Sequence, residues 1–462
     1  MRNSIFCMEK NGWRLTKALA IFVVLVGLLS SATAQSNHYF YQYESPDAVV
    51  YLPAPPDTSS LLFAHDFNRW IWGKSLRNTP RGEQASWESL YGMERFSSVF
   101  GEALDIEISK EKTPALWKFI QRAAVTGDSA VKSAKVHYMR VRPFARMGEH
   151  VFGQFDDEEG LRHNGSYPSG HTATGWAIAL ALAEMAPELQ DTILRRGFEY
   201  GQSRVIVGAH WQSDVDAGRL ASSAAFARMH TSPDFAGDLA AARAEFLKLR
   251  PEMAKQQPGY PNGNRILDEP VTAESRFFYG DVAAYWVAKA ERGTERGRQA
   301  ISDNELNSET MCKALAGAAG VSLSNGTTPN TIALLTWTSQ NMDKQSRLLK
   351  EQNPFRQRPY VLFDEPTLIP AEEQAYADNS SYPSITATTG WGIALVMIEL
   401  MPERQNELLK CGYEIGYSRV VAGYHYASDV QAGRVLAACV LAHMHTDPVF
   451  VHLLELAKTE WE

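Results

Sequence analysis

The sequence predicts an all-α protein built from two tandem copies of one helical bundle, and two observations carry this prediction. From Leu61 onward, helical patterns of apolar residues follow one another almost without a break, and the alternation typical of strands is scarce. The second half of the chain then repeats the first, since Gly175-Trp176 returns as Gly390-Trp391 (390 − 175 = 215). A period of this length is too long for a solenoid and predicts two independent globular domains.

The N-terminus has the pattern of a secretory signal peptide. Basic residues precede the apolar run 18–29, and small residues at 32–34 offer a cleavage site. The run is shorter than the ~20 apolar residues of a membrane span, which makes an uncleaved anchor the less favoured interpretation. We therefore expect residues 1–34 to be removed on export and the mature chain to be soluble, with no stable insertion into a membrane.

Composition narrows the class of partner. The net charge is −8 and no long basic run occurs, which argues against nucleic acid as a partner. Cys312, Cys411 and Cys439 remain after the signal segment, and an odd number leaves at least one thiol unpaired in an oxidising compartment. The sequence leaves the disulfide pairing open, and no Cys/His spacing typical of a metal site occurs.

Two proline-rich stretches divide the chain. Residues 35–60 predict an extended, poorly ordered segment, and residues 256–263 predict a linker. The predicted domains are therefore residues 35–255, which carry the complete set of candidate site residues, and residues 256–462, which carry a degenerate copy.

A Ser-Gly-His turn precedes an apolar helix predicted from about His171 to Ala186. Ser169 can cap that helix, and Gly170 lets a ligand approach the backbone closely. The helix N-terminus presents free N–H groups and a partial positive charge, which suit an anion. His171 at the same end can donate a proton to a leaving-group oxygen. Taken alone, the pattern is more often a capped helix with an incidental histidine.

His210 and Asp214 are four residues apart, so on a helix they share one face. A carboxylate bonded to one imidazole nitrogen fixes the tautomer and leaves the other nitrogen free to attack. Lys135, Arg142 and Arg204 add three cations that match phosphate oxygens. Each of these residues alone has an ordinary structural explanation, but their co-occurrence in fixed order predicts a site for a phosphate oxyanion.

These residues resemble the three-part signature of the phosphatidic acid phosphatase type 2 superfamily. Residues 165–167 and 196–206 resemble its soluble branch, the class A bacterial nonspecific acid phosphatases. The likeness covers most of residues 61–230 and recurs in degraded form over 276–446. The three parts are Lys135-x6-Arg142-Pro143, Pro168-Ser169-Gly170-His171 and Ser203-Arg204-x5-His210-x3-Asp214.

The resemblance implies an all-α fold of the acid phosphatase/vanadium-dependent haloperoxidase type. It also implies hydrolysis of small phosphate monoesters through a phosphohistidine, without a metal or other cofactor. In that scheme His210 is the nucleophile, Asp214 orients it, and His171 protonates the leaving alcohol. The family is bacterial, so the compartment expected is the periplasm; the oligomeric state stays open. The phosphoryl oxygens are then held by Lys135, Arg142, Ser169, Gly170 and Arg204.

The second copy keeps part of this set. At the first turn of its apolar helix, Ile385 replaces glycine and Thr386 replaces the candidate acid. The residues kept are Arg358, Ser384, Arg419, His425 and Asp429.

The lysine of the second copy depends on the register chosen. Aligned on Arg358, which is offset by one residue, the position of Lys135 falls on Glu351, a reversed charge, with Lys350 one step away. We therefore expect little or no phosphatase activity there. The second domain is then a pseudo-domain packed on the first, or a weak anion-binding module.

Three other functions compete with this interpretation. A vanadium-dependent haloperoxidase shares the pocket because vanadate mimics phosphate, but the spacing of the signature counts against it. A lipid or undecaprenyl pyrophosphate phosphatase usually needs membrane helices, which the sequence does not predict after residue 34. A non-catalytic anion-binding or scaffold protein suits the degenerate half but not the complete one.

Overall fold

A computed structural model describes residues 37–155, 157–304 and 307–461. The predicted signal peptide therefore lies outside the described residues. Within these ranges the chain consists of helices joined by short loops and turns, with no strand. The predicted all-α class is confirmed.

Twelve α-helices of the described chain belong to the first repeat. They are α1 (Ala48–Tyr51), α2 (Phe63–Ser75), α3 (Pro80–Trp87), α4 (Met93–Leu104), α5 (Pro114–Ser129), α6 (Lys132–Tyr138), α7 (Pro143–Arg146), α8 (Glu158–Arg162), α9 (Gly170–Met185), α10 (Gln190–Ile206), α11 (Gln212–Met229) and α12 (Pro233–Leu249).

The second repeat follows the same order, with one long helix where the first repeat has α5 and α6. Its α-helices in the described chain are α13 (Gly263–Ile266), α14 (Phe278–Ala290), α15 (Glu295–Asn304), α16 (Ser308–Ala318), α17 (Pro329–Gln352), α18 (Pro359–Leu362), α19 (Glu373–Tyr376), α20 (Ile385–Leu400), α21 (Gln405–Ala422), α22 (Ala427–Met444) and α23 (Pro448–Lys458).

Proline and short polar residues set where many of these helices begin. Proline has no N–H to lose and a φ already suited to the first turn, so it favours the start of a helix. Thr79 accepts a hydrogen bond from the N–H of Gly82 and caps α3 in this way. Proline stands at the first position of α3, α5, α7, α12, α17, α18 and α23.

Each repeat is built around one helix that is buried on nearly all sides. Every residue of α9 is buried, and it packs against α5, α10 and α11. Helices α9 and α10 approach so closely at Gly197 that a Cβ there would lie only 2.3 Å from Cβ of Ala179. In the second repeat, α20 and α21 meet at the equivalent Gly412 and Ala394, where the corresponding distance is 2.6 Å. Burying one large side chain such as Trp176 contributes about 1.5–3 kcal/mol.

The two repeats share one hydrophobic core. Helix α9 contacts α22, α11 contacts α20, and α2 contacts α14. Helices α9 and α20 are equivalent, and so are α11 and α22, so the contact of α9 with α22 has its counterpart in the contact of α11 with α20. The repeats therefore have the self-complementary arrangement of a two-fold dimer within one chain. Residues 38–462 form one compact unit. This differs from the expectation of two independent domains, because the apolar faces of α9, α11, α20 and α22 are covered by the other repeat; the boundary at residue 255 stays a prediction.

Two short arms tie each repeat to its neighbour. Helix α1 packs on α21, and the N–H of Asp47 donates to Oδ1 of Asn406 at 2.8 Å. Helix α13 packs on α10, and the N–H of Asn262 donates to Oδ1 of Asp191 at 2.9 Å. The arms are equivalent segments, so the exchange is reciprocal.

The expectation that residues 35–60 are extended and poorly ordered is wrong for the part that the structure describes. Tyr39, Phe40, Tyr51 and Leu52 are buried in the shared core. The prolines do keep the segment from forming a long helix, but contacts with both repeats hold it in place.

Cys312, Cys411 and Cys439 are free thiols. Burial raises the pKa of Cys312 and of Cys411 to about 12. In the part of the chain that the structure describes, no single helix combines the length and hydropathy of a membrane span. The bent pair α22 and α23, which meet at 91°, passes that test only when taken together.

Candidate active site

The N-terminus of α9 forms one wall of the site. Oγ of Ser169 accepts a hydrogen bond from the N–H of Thr172 at 3.2 Å, so Ser169 caps the helix as predicted. Thr172 uses its N–H in this cap, and the N–H groups before it in the first turn have no acceptor within the helix. A Cβ at position 170 would lie 2.8 Å from a carboxylate oxygen of Asp128 and 3.3 Å from Cε of Lys135, so glycine leaves room for both side chains.

His210 lies in the turn before α11, not on the helix as expected. Trp211 is the N-cap of α11, and Asp214 is the third residue of that helix. Oδ2 of Asp214 accepts a hydrogen bond from the N–H of Trp211 at 2.8 Å and lies 3.5 Å from Nδ1 of His210. The predicted pairing of His210 with Asp214 therefore occurs, across a turn and at a distance longer than a good hydrogen bond.

The other nitrogen of the imidazole faces a guanidinium. Nη1 of Arg142 lies 2.9 Å from Nε2 of His210, and it also donates to the carbonyl of Ala209 at 3.0 Å. Arginine can only donate, so Nε2 must be the acceptor and the proton of neutral His210 must sit on Nδ1. The nitrogen with the free electron pair is therefore Nε2.

Lys135 and Arg204 complete a group of three buried cations. Nζ of Lys135 donates to the carbonyl of Gly165 at 2.9 Å. Nε of Arg204 is buried and has no hydrogen-bond partner among the described residues. Within the same residues, none of Lys135, Arg142 and Arg204 forms an ion pair with a carboxylate. A buried cation without a counterion is costly, so this group suits an anion that arrives from solution.

The pKa values of these groups reflect their burial without a negative charge to pair with. Burial, with nearby Arg142, lowers the pKa of Lys135 to about 7. Burial lowers the pKa of Arg142 to about 10 and that of Arg204 to about 9. Burial followed by Arg142 holds the pKa of His210 well below its usual range. A bound phosphate would oppose all four shifts, because a nearby negative charge favours the protonated forms.

His171 lies on the first turn of α9. Its Nε2 lies 2.9 Å from the carbonyl of Glu88, so Nε2 carries a proton that it donates there. The ring stacks on Tyr200, with the ring centroids 4.8 Å apart. Burial, followed by the charge of Arg204, holds the pKa of His171 well below its usual range. The imidazole is therefore neutral until an anion or a low pH favours its protonation.

Comparison with known proteins shows the family of the chain. The model of the PAP2 superfamily matches residues 117–236 and 352–451, one stretch in each repeat. A non-specific acid phosphatase of Providencia stuartii is 45% identical over 219 residues, which are 47% of this chain and 88% of that protein. The chain belongs to the acid phosphatases of the PAP2 superfamily.

Two further relatives cover about the same share of this acid phosphatase. The non-specific acid phosphatase of Salmonella typhimurium is 38% identical over 231 residues, or 50% of this chain and 92% of the relative. The acid phosphatase of Zymomonas mobilis is 32% identical over 245 residues, or 51% of this chain and 92% of the relative. Each relative thus aligns over most of its length with about half of this chain, as a tandem duplication requires.

Sequence reasoning missed the residues that hold Asp214. Nη1 of Arg140 donates to Oδ1 of Asp214 at 2.6 Å, and Nη2 donates to Oδ2 of Asp66 at 2.6 Å. Asp66 in turn accepts from the N–H and the hydroxyl of Ser213, at 2.8 and 2.7 Å. Burial opposes the ionisation of Asp214, but Arg140 and His210 outweigh it and lower its pKa. Asp214 therefore stays a carboxylate beside the imidazole.

The second repeat has the same network, and this repetition was the signal that could have found it. Nη2 of Arg356 donates to Oδ2 of Asp281 at 2.6 Å, and its Nη1 donates to Asp429. Asp281 accepts from the N–H of Ser428 at 2.9 Å. The aspartate and the serine recur at the spacing of the repeat (281 − 66 = 215 and 428 − 213 = 215). The arginine recurs with the one-residue offset already seen at Arg358 (356 − 140 = 216).

The structure corrects the register of the second lysine. Nζ of Lys350 donates to the carbonyl of Ser380, as Lys135 does to Gly165. Lys350, not Glu351, is therefore the equivalent of Lys135. The second repeat keeps all three cations and does not reverse a charge.

A cavity of about 700 Å³ lies elsewhere, between the repeats. Residues from both repeats line it, including Arg69, Arg219 and Arg434, whereas none of the three site cations does. The candidate site of the first repeat therefore lies outside this cavity.

One group with the composition of a metal site lies at the far end of α9, ~20 Å along the helix from His171. Glu184, His230 and His445 bring three ligand atoms within 4.8 Å of one another. The two imidazoles stack nearly parallel, with centroids 3.6 Å apart, so their nitrogen lone pairs do not converge on one point. Burial opposes protonation of His230, but Glu184 and Glu399 raise its pKa, which fits an imidazolium–carboxylate pair.

Proposed function

We propose that the first repeat hydrolyses phosphate monoesters without a metal, by transferring the phosphoryl group to Nε2 of His210. The observation that carries the proposal is the contact of Arg142 with Nε2, while Nδ1 faces Asp214. This arrangement keeps the proton on Nδ1 and leaves an electron pair on Nε2 for attack at phosphorus. Asp214 then balances the positive charge that develops on the ring.

The three cations bind the non-bridging oxygens of the phosphoryl group. Arg142 and Arg204 offer planar forks, Lys135 offers a point charge, and the first N–H groups of α9 add donors. Fixed positive charge of this kind stabilises the charge of the transition state, which is the usual work of a metal in phosphoryl transfer.

His171 acts first as an acid and then as a base. Because Nε2 is bonded to the carbonyl of Glu88, Nδ1 is the nitrogen that gives up a proton to the leaving alcohol. The same nitrogen then takes a proton from the water that attacks the phosphohistidine. Since the pKa of His171 is low in the free site, the acid step is favoured as the pH falls. We therefore expect an acid optimum.

We also propose that the protein is exported to the periplasm, with residues 1–34 removed. The support is the order of basic, apolar and small residues at the N-terminus. Small phosphorylated metabolites are then the substrates, and the second repeat contributes little turnover of alkyl phosphates because Thr386 replaces the acid.

The test is hydrolysis of p-nitrophenyl phosphate by residues 35–462 in EDTA, from roughly pH 4 to pH 8. We expect activity that survives EDTA, is highest in acid and disappears in the His210→Ala variant. The His171→Ala variant should keep the first phosphoryl transfer, seen as a burst of nitrophenolate, because this leaving group needs no proton, but it should lose steady turnover because hydrolysis of the phosphohistidine then lacks its base. A folded protein without hydrolysis, but with bromide oxidation by peroxide after loading with vanadate, would instead indicate a haloperoxidase.

A further inference from the structure

The second repeat keeps the three cations and the histidine–aspartate pair of the first repeat but lacks the histidine proposed as the acid. We propose that His425 accepts a phosphoryl group from donors whose leaving group needs no proton, such as acyl phosphates, and retains it as a stable phosphohistidine. The inference rests on the proposed function, because it assigns to His425 the chemistry proposed for His210. It goes further by giving the second repeat an activity and a class of donor.

The nucleophile of the second repeat has the geometry of the first. Nη1 of Arg358 lies 3.2 Å from Nε2 of His425, and Oδ2 of Asp429 lies 3.6 Å from Nδ1. Arg358 donates from the same Nη1 to the carbonyl of Tyr424 at 2.9 Å, as Arg142 does at its own site. As in the first repeat, Nε2 of His425 is therefore the nitrogen with the free electron pair.

The anion-binding charges are also complete. Lys350, Arg358 and Arg419 are the three cations, and none forms an ion pair with a carboxylate in the described ranges. Nε of Arg419 is buried and lacks a hydrogen-bond partner among those residues. Burial, with the charge of Arg358, lowers the pKa of Lys350 to about 7. This is the same uncompensated charge as in the first repeat, so the site still suits a phosphate oxyanion.

The second repeat lacks the histidine proposed as the acid and the tyrosine that stacks on it. Thr386 stands where His171 stands in the first repeat, and Ile415 stands where Tyr200 stacks on that histidine. A threonine hydroxyl cannot give or take a proton near neutral pH. Ile385 adds bulk at the first turn of α20, but its side chain does not remove the backbone N–H.

The chemistry follows from this set. The electron pair of Nε2 forms the N–P bond, and the bond from phosphorus to the leaving oxygen breaks with its electron pair on that oxygen. Acetate or nitrophenolate leaves without a proton, and the proton on Nδ1 stays beside Asp429. Hydrolysis of the phosphohistidine needs a base to take a proton from water. Because Thr386 cannot do so, the phosphohistidine accumulates instead of turning over.

The test uses residues 35–462 carrying His210→Ala, so that only the second site can react. The protein is incubated with acetyl phosphate at neutral pH, and its intact mass is measured without acid. We expect one phosphoryl group per chain, located on His425 by peptide mapping and absent from the His210→Ala/His425→Gln variant. Circular dichroism and the unfolding midpoint establish that both variants are folded. Label on another residue, or none, would overturn the inference.

A matched variant separates this result from the proposed function. His171→Thr gives the first site the defect of the second, and we expect it to be phosphorylated on His210 by the same donor. If His171→Thr is labelled on His210 but His210→Ala is not labelled, the inference fails and the proposed function stands. If neither is labelled and the wild-type chain is inactive, both fail.

The reverse exchange supplies an independent readout. Ile385→Gly/Thr386→His in the His210→Ala background restores an imidazole at the second site. We expect this variant to release phosphate from acetyl phosphate at least tenfold faster than its parent, since a positioned base contributes about 10²–10⁴-fold. No gain in a folded variant that still takes no label would contradict the assignment of a nucleophile to His425.

Discussion

The sites of the two repeats differ at the first turn of one helix and agree around it. In α9 that turn carries Gly170 and His171, whereas in α20 it carries Ile385 and Thr386. On the other side of each site, an arginine contacts Nε2 of a histidine and an aspartate lies near Nδ1. The capping serine recurs as well, because Ser384 accepts from the N–H of Ala387 as Ser169 does from Thr172.

This contrast separates binding from proton transfer. The Arg–Asp networks are embedded in the packing of the repeat, so replacing one partner leaves buried charge unpaired. His171, the proposed acid, lies at the N-terminus of α9, and the second repeat has Thr386 at the equivalent position of α20. A second copy can therefore lose its acid and keep its anion site.

The largest expected contrast concerns the two nucleophiles. His210→Ala should lower hydrolysis of glycerol phosphate by roughly 10⁴–10⁶-fold, because removing a nucleophile removes the covalent route. Adding His425→Ala to that variant should change the residual rate by less than about twofold, because the second site cannot protonate an alkoxide leaving group. Phosphate release by purified, folded variants measures both, and a residual rate that depends strongly on His425 would contradict the comparison.

The acid should matter according to the leaving group. In a His425→Gln background, His171→Thr should slow phosphoryl transfer from glycerol phosphate by about 10²–10⁴-fold, but should slow the single-turnover burst of dinitrophenolate from dinitrophenyl phosphate by much less, because that phenolate leaves unprotonated. The ratio of the two losses is the readout. Equal losses would show that His171 positions the substrate and does not donate a proton.

The buried networks should contribute alike to the stability of both repeats. Arg140→Ala and Arg356→Ala each leave two buried carboxylates without a cation, which costs about 3–5 kcal/mol of unfolding free energy. Lys112→Ala is the control, since its pair with Glu107 is exposed and contributes about 0–1 kcal/mol. Chemical unfolding measures all three.

Activity then distinguishes the first network from the second. Arg140→Ala should also lower kcat, because Asp214 loses its anchor, whereas Arg356 lies only at the second site. Equal losses of glycerol phosphate turnover in folded Arg140→Ala and Arg356→Ala would contradict the assignment of that activity to the first repeat.

The smallest effect is expected from the lysine. Lys135 is protonated below a pKa of about 7 and neutral above it, so kcat/KM should fall as the pH rises through that value. Lys135→Gln should lose this step and lower kcat/KM in acid by roughly tenfold to a hundredfold, as expected for one charged hydrogen bond. Lys112→Gln should leave the profile unchanged. A pH step that persists in Lys135→Gln would belong to another group.

The sequence was sufficient to predict the helical class and the duplication, and it supplied the candidate site residues of the first repeat. The candidate residues form recognisable sequence motifs, and the structure brings His171, His210 and the three cations to one end of α9. The roles assigned to them remain predictions. Arg140 and Asp66 escaped notice because a buried ion pair has no motif of its own, although both recur in the second repeat.

The errors have physical causes. Lys350 was assigned the wrong register because the extra residue of the second repeat lies after α17, and a continuous helix keeps Lys350 at the spacing of the rest of the repeat. His210 was expected on a helix because spacing alone cannot distinguish a helical face from a turn that ends in a cap. Residues 35–60 were expected to be poorly ordered because their partners are distant in the chain, such as Thr126 for Tyr39 and Asn406 for Asp47, and local propensity does not report such contacts.

The central claim is a covalent phosphohistidine in the first repeat, and the stereochemical course at phosphorus tests it most directly. The substrate is a phosphate monoester made chiral with oxygen isotopes, and the wild-type chain transfers its phosphoryl group to an alcohol acceptor. Each in-line displacement inverts phosphorus, so transfer through His210 takes two inversions and predicts overall retention of configuration. Overall inversion would show a single direct displacement and would contradict the account.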